Sequence, residues 1–153
     1  MVLEVGQPAP DFALRDQHGA TACLSSYQGH RTVVVMFYPF AFSRVCTGEL
    51  RGVLEHLPTF VSDDVQLLAV SCDPMFTLRA FAEQEGLTFP LLSDFWPHGE
   101  VARAYGVLDP ERGCAGRSTF VVDRTGTLQW TVHSATADAR DLADQAAAVA
   151  RLH

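Results

Sequence analysis

A chain of 153 residues, 48% apolar and only 19% charged, is long enough to bury the core of one ordinary domain and too apolar for extended disorder. Its formal charge of −7, from 11 Lys and Arg against 18 Asp and Glu, argues against nucleic acid or an anionic membrane surface as a partner. The longest apolar run, Val33–Tyr38, is far too short to span a bilayer, and Met1–Phe12 has neither the basic nor the apolar region of a secretory signal. The expected location is therefore the cytoplasm, a reducing compartment where thiols stay free.

In chain order, Asp11–Arg15 and Thr21–Ser25 flank the turn signal Gln17-His18-Gly19 and read as a short hairpin. Thr32–Tyr38 is β-branched and aromatic, apolar on both faces, and stops at Pro39; it reads as a central buried strand. From Ser43 to about Pro58, Val45, Leu50, Val53, Leu54 and Leu57 recur at helical spacing. Val65–Cys72 is a second buried strand, closed by Asp73-Pro74. Met75–Glu85 is a helix with Leu78, Phe81 and Ala82 on one face, stopped by Gly86. Glu100–Tyr105 is a short helix ended by Gly106. Ser118–Val122 and Leu128–His133 are strands joined by the turn Asp123-Arg124-Thr125-Gly126. Ala137–Leu152 is a final amphipathic helix. This succession predicts a single three-layer α/β domain over residues 1–153, with a mixed central sheet flanked by helices. It is similar to the thioredoxin-like fold, with an extra N-terminal β-hairpin.

The stretch that carries chemistry is Tyr38–Leu50, where a buried strand ends and a helix begins. Sites in open α/β sheets cluster at that edge. Cys46 falls in the first helical turn, where unpaired backbone N–H groups and the positive end of the helix dipole favour a thiolate, the reactive form of the side chain. Ser43, three residues earlier, either donates to the sulfur or a bound oxygen, or is an ordinary N-cap. Pro39 offers no N–H and can wall one side of a pocket.

Pro39-x-x-x-Ser43-x-x-Cys46 resembles the Pro-x-x-x-Thr/Ser-x-x-Cys signature of the peroxiredoxins, the AhpC/TSA superfamily. Arg117–Asp123 is similar to that family's arginine-bearing strand, and Gly6–Phe12 to its usual opening. The run Phe89–Gly99 with Ala104–Val107 looks most like the AhpE type of one-cysteine peroxiredoxin, with the PrxQ/BCP type near it. The resemblance implies a thiol-dependent peroxidase without cofactor or metal, in which Cys46 attacks the peroxide and becomes a sulfenic acid. Arg117 would stabilise the thiolate and the polarised peroxide oxygens, with Ser43 and the Cys46 N–H holding the peroxide. Glu49, one turn from Cys46, would orient an arginine such as Arg117 or sit solvated. Arg44 reads as an exposed arginine.

The position five residues after Cys46, where many PrxQ-type proteins carry a resolving cysteine, is Arg51. Cys72 and Cys114 are the remaining candidates to resolve Cys46; otherwise each is an inert buried thiol, and Cys23 has no role. The expected cycle uses an external thiol, from a mycoredoxin- or thioredoxin-type protein or a low-molecular-weight thiol. Two rivals stand beside it: internal resolution by Cys114 or Cys72, and a non-enzymatic peroxide sensor or holdase. The cysteines lie 23, 26 and 42 residues apart without a C-x-x-C or H-x₃-H pair, which argues against zinc. A cysteine–histidine hydrolase is disfavoured because His56 lies ten residues along the same helix, about 15 Å away, and nothing calls for His98 or His133. Trp96 and Phe95 line an apolar wall, near the pocket or in the core. Phe40, Phe42 and Trp96 lean toward organic hydroperoxides as substrates. The chain stops straight after its last helix, and together with the AhpE resemblance this implies a homodimer formed through the face that carries the active-site loops.

Overall fold

The N-terminal hairpin forms first: β1 (Ala13–Arg15) pairs antiparallel with β2 (Thr21–Cys23). The chain then makes a 3₁₀ turn over Leu24–Tyr27, so Ser25 leaves the hairpin. This computed structural model describes residues 3–134 and 142–151. Beyond the hairpin come β3 (Thr32–Phe37), α1 (Arg44–Glu55), α2 (Leu57–Phe60), β4 (Val65–Ser71), α3 (Met75–Glu85), β5 (Leu91–Ser93) and α4 (Glu100–Ala104). A two-stranded ribbon of β6 (Leu108–Asp109) and β7 (Cys114–Ala115) follows, then β8 (Arg117–Val122), β9 (Leu128–Ser134) and α5 (Leu142–Ala150). No helix among the described residues is long and apolar enough to cross a membrane.

The main sheet runs β2-β1-β5-β4-β3-β8-β9. β3, β4 and β5 are mutually parallel, whereas β8 and β9 run antiparallel, so the sheet is mixed as the sequence implies. Every residue of β3 is buried, and the pleat sends alternate side chains to opposite faces. Val34 and Met36 pack with Leu50, Val53, Phe60, Leu78, Phe81 and Val149, beneath α1, α2, α3 and α5. Val33, Val35 and Phe37 pack with Phe12, Val101, Tyr105 and Phe120, beneath α4 and the N-terminal segment. An apolar run without alternation is what two covered faces require.

One expected element differs in its bounds. The helix expected from Ser43 to Pro58 ends at Glu55, with His56 as its C-cap, and resumes as a separate turn. Pro58 cannot donate to the preceding turn, so the hydrogen-bond ladder breaks before it. Strand β5 and the β6–β7 ribbon add to the elements that periodicity marks; each strand is only two or three residues long and is defined by its neighbours. Of the expected helix over Ala137–Leu152, residues 142–150 are helical, and residues 137–141 and 152 lie outside the described residues. By contrast, α3 has the expected bounds, and Gly86 takes the left-handed conformation (φ 67°) that ends it.

Gln17 sits in the expected hairpin turn but acts as a buried bridge. Its amide donates to the Phe89 carbonyl at 3.0 Å and accepts from the Leu91 N–H at 2.8 Å, tying the hairpin to the start of β5. Gln17→Leu leaves both backbone groups buried without this partner. We expect it to lower the unfolding free energy in a urea titration by about 1–3 kcal/mol, while the exposed Glu83→Gln changes it by less than about 0.5 kcal/mol.

Candidate functional site

Cys46 is reached through a strained turn. After β3 the chain passes Pro39 and Phe40, and Phe42 adopts a left-handed conformation at φ 68°, which costs a non-glycine residue about 1–3 kcal/mol. The turn is held from outside. Ala41 N–H donates to the Asp73 carboxylate at 2.8 Å, and Ser71 Oγ–H donates to the same oxygen at 2.7 Å. Ser93 in turn donates to the Asp73 carbonyl at 2.7 Å. Asp73 therefore links the loops that follow three adjacent parallel strands. The sequence presents it only as the end of a strand; its proline neighbour is the one local signal that the backbone turns there.

Ser43 is the N-cap of α1, and its Oγ accepts from the Cys46 N–H at 3.4 Å. Of the two roles expected for Ser43, this is the capping one. Cys46 is fully buried in the first turn of α1, with Glu49 one turn further on the same face. Arg117 arrives from the far side of the sequence. It opens β8, and because β8 runs antiparallel to β3, with Ser118 opposite Phe37, its first residue lies at the edge where β3 ends. One guanidinium nitrogen, Nη2, donates to Cys46 Sγ at 3.4 Å, and Nη1 donates to Glu49 Oε1. Glu49 is thus ion-paired in the interior, not solvated: both side chains are almost wholly buried. Positive potential from the guanidinium and from the helix N-terminus meets at one sulfur.

A cavity of about 150 Å³ opens beside this group, lined by Pro39, Phe40, Ser43, Arg44, Val45, Arg112 and Arg117. Pro39 forms part of the wall, and Arg44 is exposed at its rim. Arg112, not singled out in the sequence, places its guanidinium 5.6 Å from the centre of the Phe40 ring. Its neighbours read as an ordinary turn, and nothing local indicates that this turn faces Cys46. A slightly larger cavity, about 170 Å³, lies at the opposite end of the sheet between Pro8, Arg31, Val122 and Gly126, and no thiol lines it.

Trp96 is not part of either wall. It is 82% exposed, and Phe95 is 45% exposed against the His98 ring. The reason is Asp94, whose buried carboxylate accepts from the N–H groups of Val101 and Ala102 and turns the following residues outward. Phe42 packs on Phe81, at 5.0 Å between ring centres, and does not line the cavity. Of the three aromatics expected at the pocket, only Phe40 faces it.

All four cysteines are free thiols. Burial, with the Asp94 charge adding to it, pushes the Cys72 thiol up to about 12. Burial likewise raises the Cys114 thiol above its ordinary value. Cys23 is half-buried beside the N-terminal hairpin, on β2 at the sheet's edge. His56 caps the far end of α1, and His133 bonds Ser118 from β9 at 2.7 Å. Among the described residues, no three His, Cys, Asp or Glu side chains gather as a metal-ligand set.

A family model described as the AhpC/TSA family matches residues 5–131. The chain is 47% identical over 140 residues to alkyl hydroperoxide reductase E of Mycobacterium tuberculosis, covering 92% of each protein. It is 36% identical over 138 residues to the selenocysteine-containing peroxiredoxin PrxU of Peptoclostridium acidaminophilum, covering 84% of this chain and 66% of that one. Among solved structures, peroxidoxin BcpB of Mycobacterium tuberculosis superposes with a TM-score of 0.86 at 29% identity, covering 99% of both chains. Enterococcus faecalis AhpC superposes with a TM-score of 0.88 at 27% identity, covering 99% of this chain and 93% of that one.

The Arg117–Glu49 pair makes a stability prediction of its own. Glu49→Ala leaves a guanidinium in the interior without its carboxylate, and we expect a loss of about 3–5 kcal/mol in denaturant unfolding. Combining it with Arg117→Met removes the orphaned charge. The double variant should therefore lose less than the sum of the two single losses.

Proposed function

The chain belongs to the AhpC/TSA family, the peroxiredoxins, which are thiol-dependent peroxidases, and from that premise we propose that Cys46 runs a one-cysteine cycle resolved by an external thiol. The observation that carries the proposal is the Arg117 donor 3.4 Å from the Cys46 sulfur, beside a cavity of about 150 Å³.

In the first step the Cys46 thiolate attacks one oxygen of the hydroperoxide. A sulfur–oxygen bond forms as the oxygen–oxygen bond breaks. The leaving oxygen takes up a proton and departs as water or an alcohol. The sulfur is oxidised by two electrons to the sulfenic acid, and the peroxide is reduced by the same two. Negative charge moves from sulfur to the leaving oxygen during this step, and a fixed donor beside both ends stabilises that transfer. Arg117 fills this role because Glu49 holds one edge of the guanidinium and leaves the other directed at the sulfur. Ser43 accepts from the Cys46 N–H and keeps its own hydroxyl proton for a peroxide oxygen. Pro39 and Phe40 exclude water from one side.

In the second step an external thiol attacks the sulfenic sulfur, forms a mixed disulfide and releases water. A second thiol then frees Cys46 and leaves as the disulfide of the reductant. Two observations favour an external thiol over an internal one. Arg51 occupies the position of the PrxQ-type resolving cysteine and pairs with Glu85. The raised thiols of Cys72 and Cys114 hold little thiolate at neutral pH, and thiolate is the attacking species. The reductant is a mycoredoxin- or thioredoxin-type protein or a low-molecular-weight thiol. The substrate is hydrogen peroxide, an organic hydroperoxide or peroxynitrite. That the 47% identical mycobacterial relative is named an alkyl hydroperoxide reductase supports the organic class.

We place this single domain in the reducing cytoplasm as a homodimer. Phe42, Phe76, Phe95 and Trp96 are exposed, and all four follow the C-terminal ends of β3, β4 or β5. Exposed aromatics in the segments that follow these strands support a covered face there.

Peroxide turnover with an external thiol tests the reading. Cys46→Ser should show none, whereas Cys72→Ser and Cys114→Ser should keep it. Arg117→Met should lower the second-order rate constant for peroxide by about 10²–10³. Turnover that survives Cys46→Ser contradicts the assignment, and turnover that needs Cys72 or Cys114 contradicts the external step.

A further inference from the structure

His98 places both ring nitrogens on carbonyl oxygens. Nδ1 lies 3.1 Å from the Phe95 oxygen, and Nε2 lies 2.7 Å from the Gly113 oxygen. A carbonyl only accepts, and a neutral imidazole carries a single N–H. Both bonds therefore exist together only in the doubly protonated ring. The first bond is local, three residues back along the chain. The second crosses to the turn between β6 and β7. That turn is closed on Asp109, which accepts at its carbonyl from the Gly113 N–H and at its carboxylate from the Glu111 and Arg112 N–H groups. Arg112 precedes the clamped Gly113 and reaches over Phe40 into the wall of the Cys46 cavity.

We infer that His98 is a proton-operated positioning residue for that wall: charged, it pins the 110–113 turn and keeps the cavity small; neutral, it releases one carbonyl and lets bulkier hydroperoxides in. The inference deepens the peroxidase reading and rests on it. When the ring loses a proton, one nitrogen turns a lone pair toward a carbonyl oxygen at 2.7 or 3.1 Å, which repels. The clamp is thus complete at low pH and loosens as pH rises. The charged side chains on the segments that meet at His98 are Asp94 before it, Glu100 and Arg103 on α4, and Asp109, Glu111 and Arg112 on the facing turn. His98 is exposed, so its proton exchanges with solvent without any opening of the fold.

Stopped-flow oxidation by hydrogen peroxide and by cumene hydroperoxide, followed across the histidine titration range, tests this. The ratio of the two rate constants cancels the ionisation of Cys46, which both reactions share. In the wild type the cumene-to-hydrogen-peroxide ratio should rise about two- to tenfold with pH in a single one-proton step, the weight of one net hydrogen bond. In His98→Ala, which has no donor for either carbonyl, it should stay flat, at the wild type's high-pH value. In parallel, nitrogen-15 NMR of the wild type should show a His98 ring protonated on both nitrogens at low pH. The Gly113 and Arg112 amide signals should move with the same midpoint. A flat wild-type ratio with normal rates overturns the clamp, as does the same step persisting in His98→Ala. Failure to react with either peroxide overturns the peroxidase reading instead, and the NMR midpoint then decides the clamp alone.

Discussion

The guanidinium of Arg117, buried and divided between the Glu49 carboxylate and the Cys46 sulfur, is the interaction on which the remainder of this molecule depends. Taking a charge out of water costs several kcal/mol even in a relaxed protein interior. Here the cost is offset by a carboxylate taken out of water at the same place. That arrangement uses up only part of the arginine's donor set. The edge left over is aimed at a sulfur, and the carboxylate that fixes its direction sits one helical turn from that sulfur on the same helix. The pair therefore joins α1 to β8 and directs a positive charge at the Cys46 sulfur through one set of contacts. A protein with a net charge of −7 concentrates Arg44, Arg112 and Arg117 around one small cavity. The local field there is opposite in sign to that of the chain.

The sheet order makes this meeting unavoidable. β3, β4 and β5 run parallel, so the loops after Phe37, Ser71 and Ser93 all emerge at one edge. β8 is antiparallel to β3 and begins where β3 ends, which delivers Arg117 to that edge across 71 residues of sequence. Asp73 then knits the three loops together through Ala41, Ser71 and Ser93. The strained Phe42 conformation is held by this bracing. Its position immediately before the cap of α1 orients the first helical turn that contains Cys46.

How much of this could be read from residues alone follows from where each feature gets its stability. β3 and β4 announce themselves because a strand covered on both faces must be apolar throughout. α3 announces itself because Gly86 supplies the left-handed stop that its pattern needs. Cys46, Ser43 and Pro39 stand together in a local motif, and Arg117 lies in a run that resembles a known strand, so the central group was legible before the fold. The partnership of Glu49 with Arg117 was legible only as one option, since a carboxylate one turn from a cysteine is as easily solvated. Features held by distant neighbours were not legible. Leu91–Ser93 is too short for periodicity to mark it and exists because β4 lies beside it. Gln17 looks like a turn residue, and its buried bridge to Phe89 and Leu91 depends on tertiary structure. Trp96 invites a place in an apolar wall, but the inward Asp94 decides otherwise, and Arg112 enters the site from a turn that has no local mark of function.

The central claim is that Cys46 alone receives the peroxide oxygen and that no second cysteine of the chain takes it over. The most direct measurement adds one equivalent of peroxide to the reduced protein, traps with a sulfenic-acid-specific dione, and maps the peptides by mass spectrometry under non-reducing conditions. The account predicts the dione adduct on the peptide containing Cys46, with Cys23, Cys72 and Cys114 recovered as thiols. A disulfide joining Cys46 to Cys114 or Cys72, or an adduct on any cysteine other than Cys46, would contradict it.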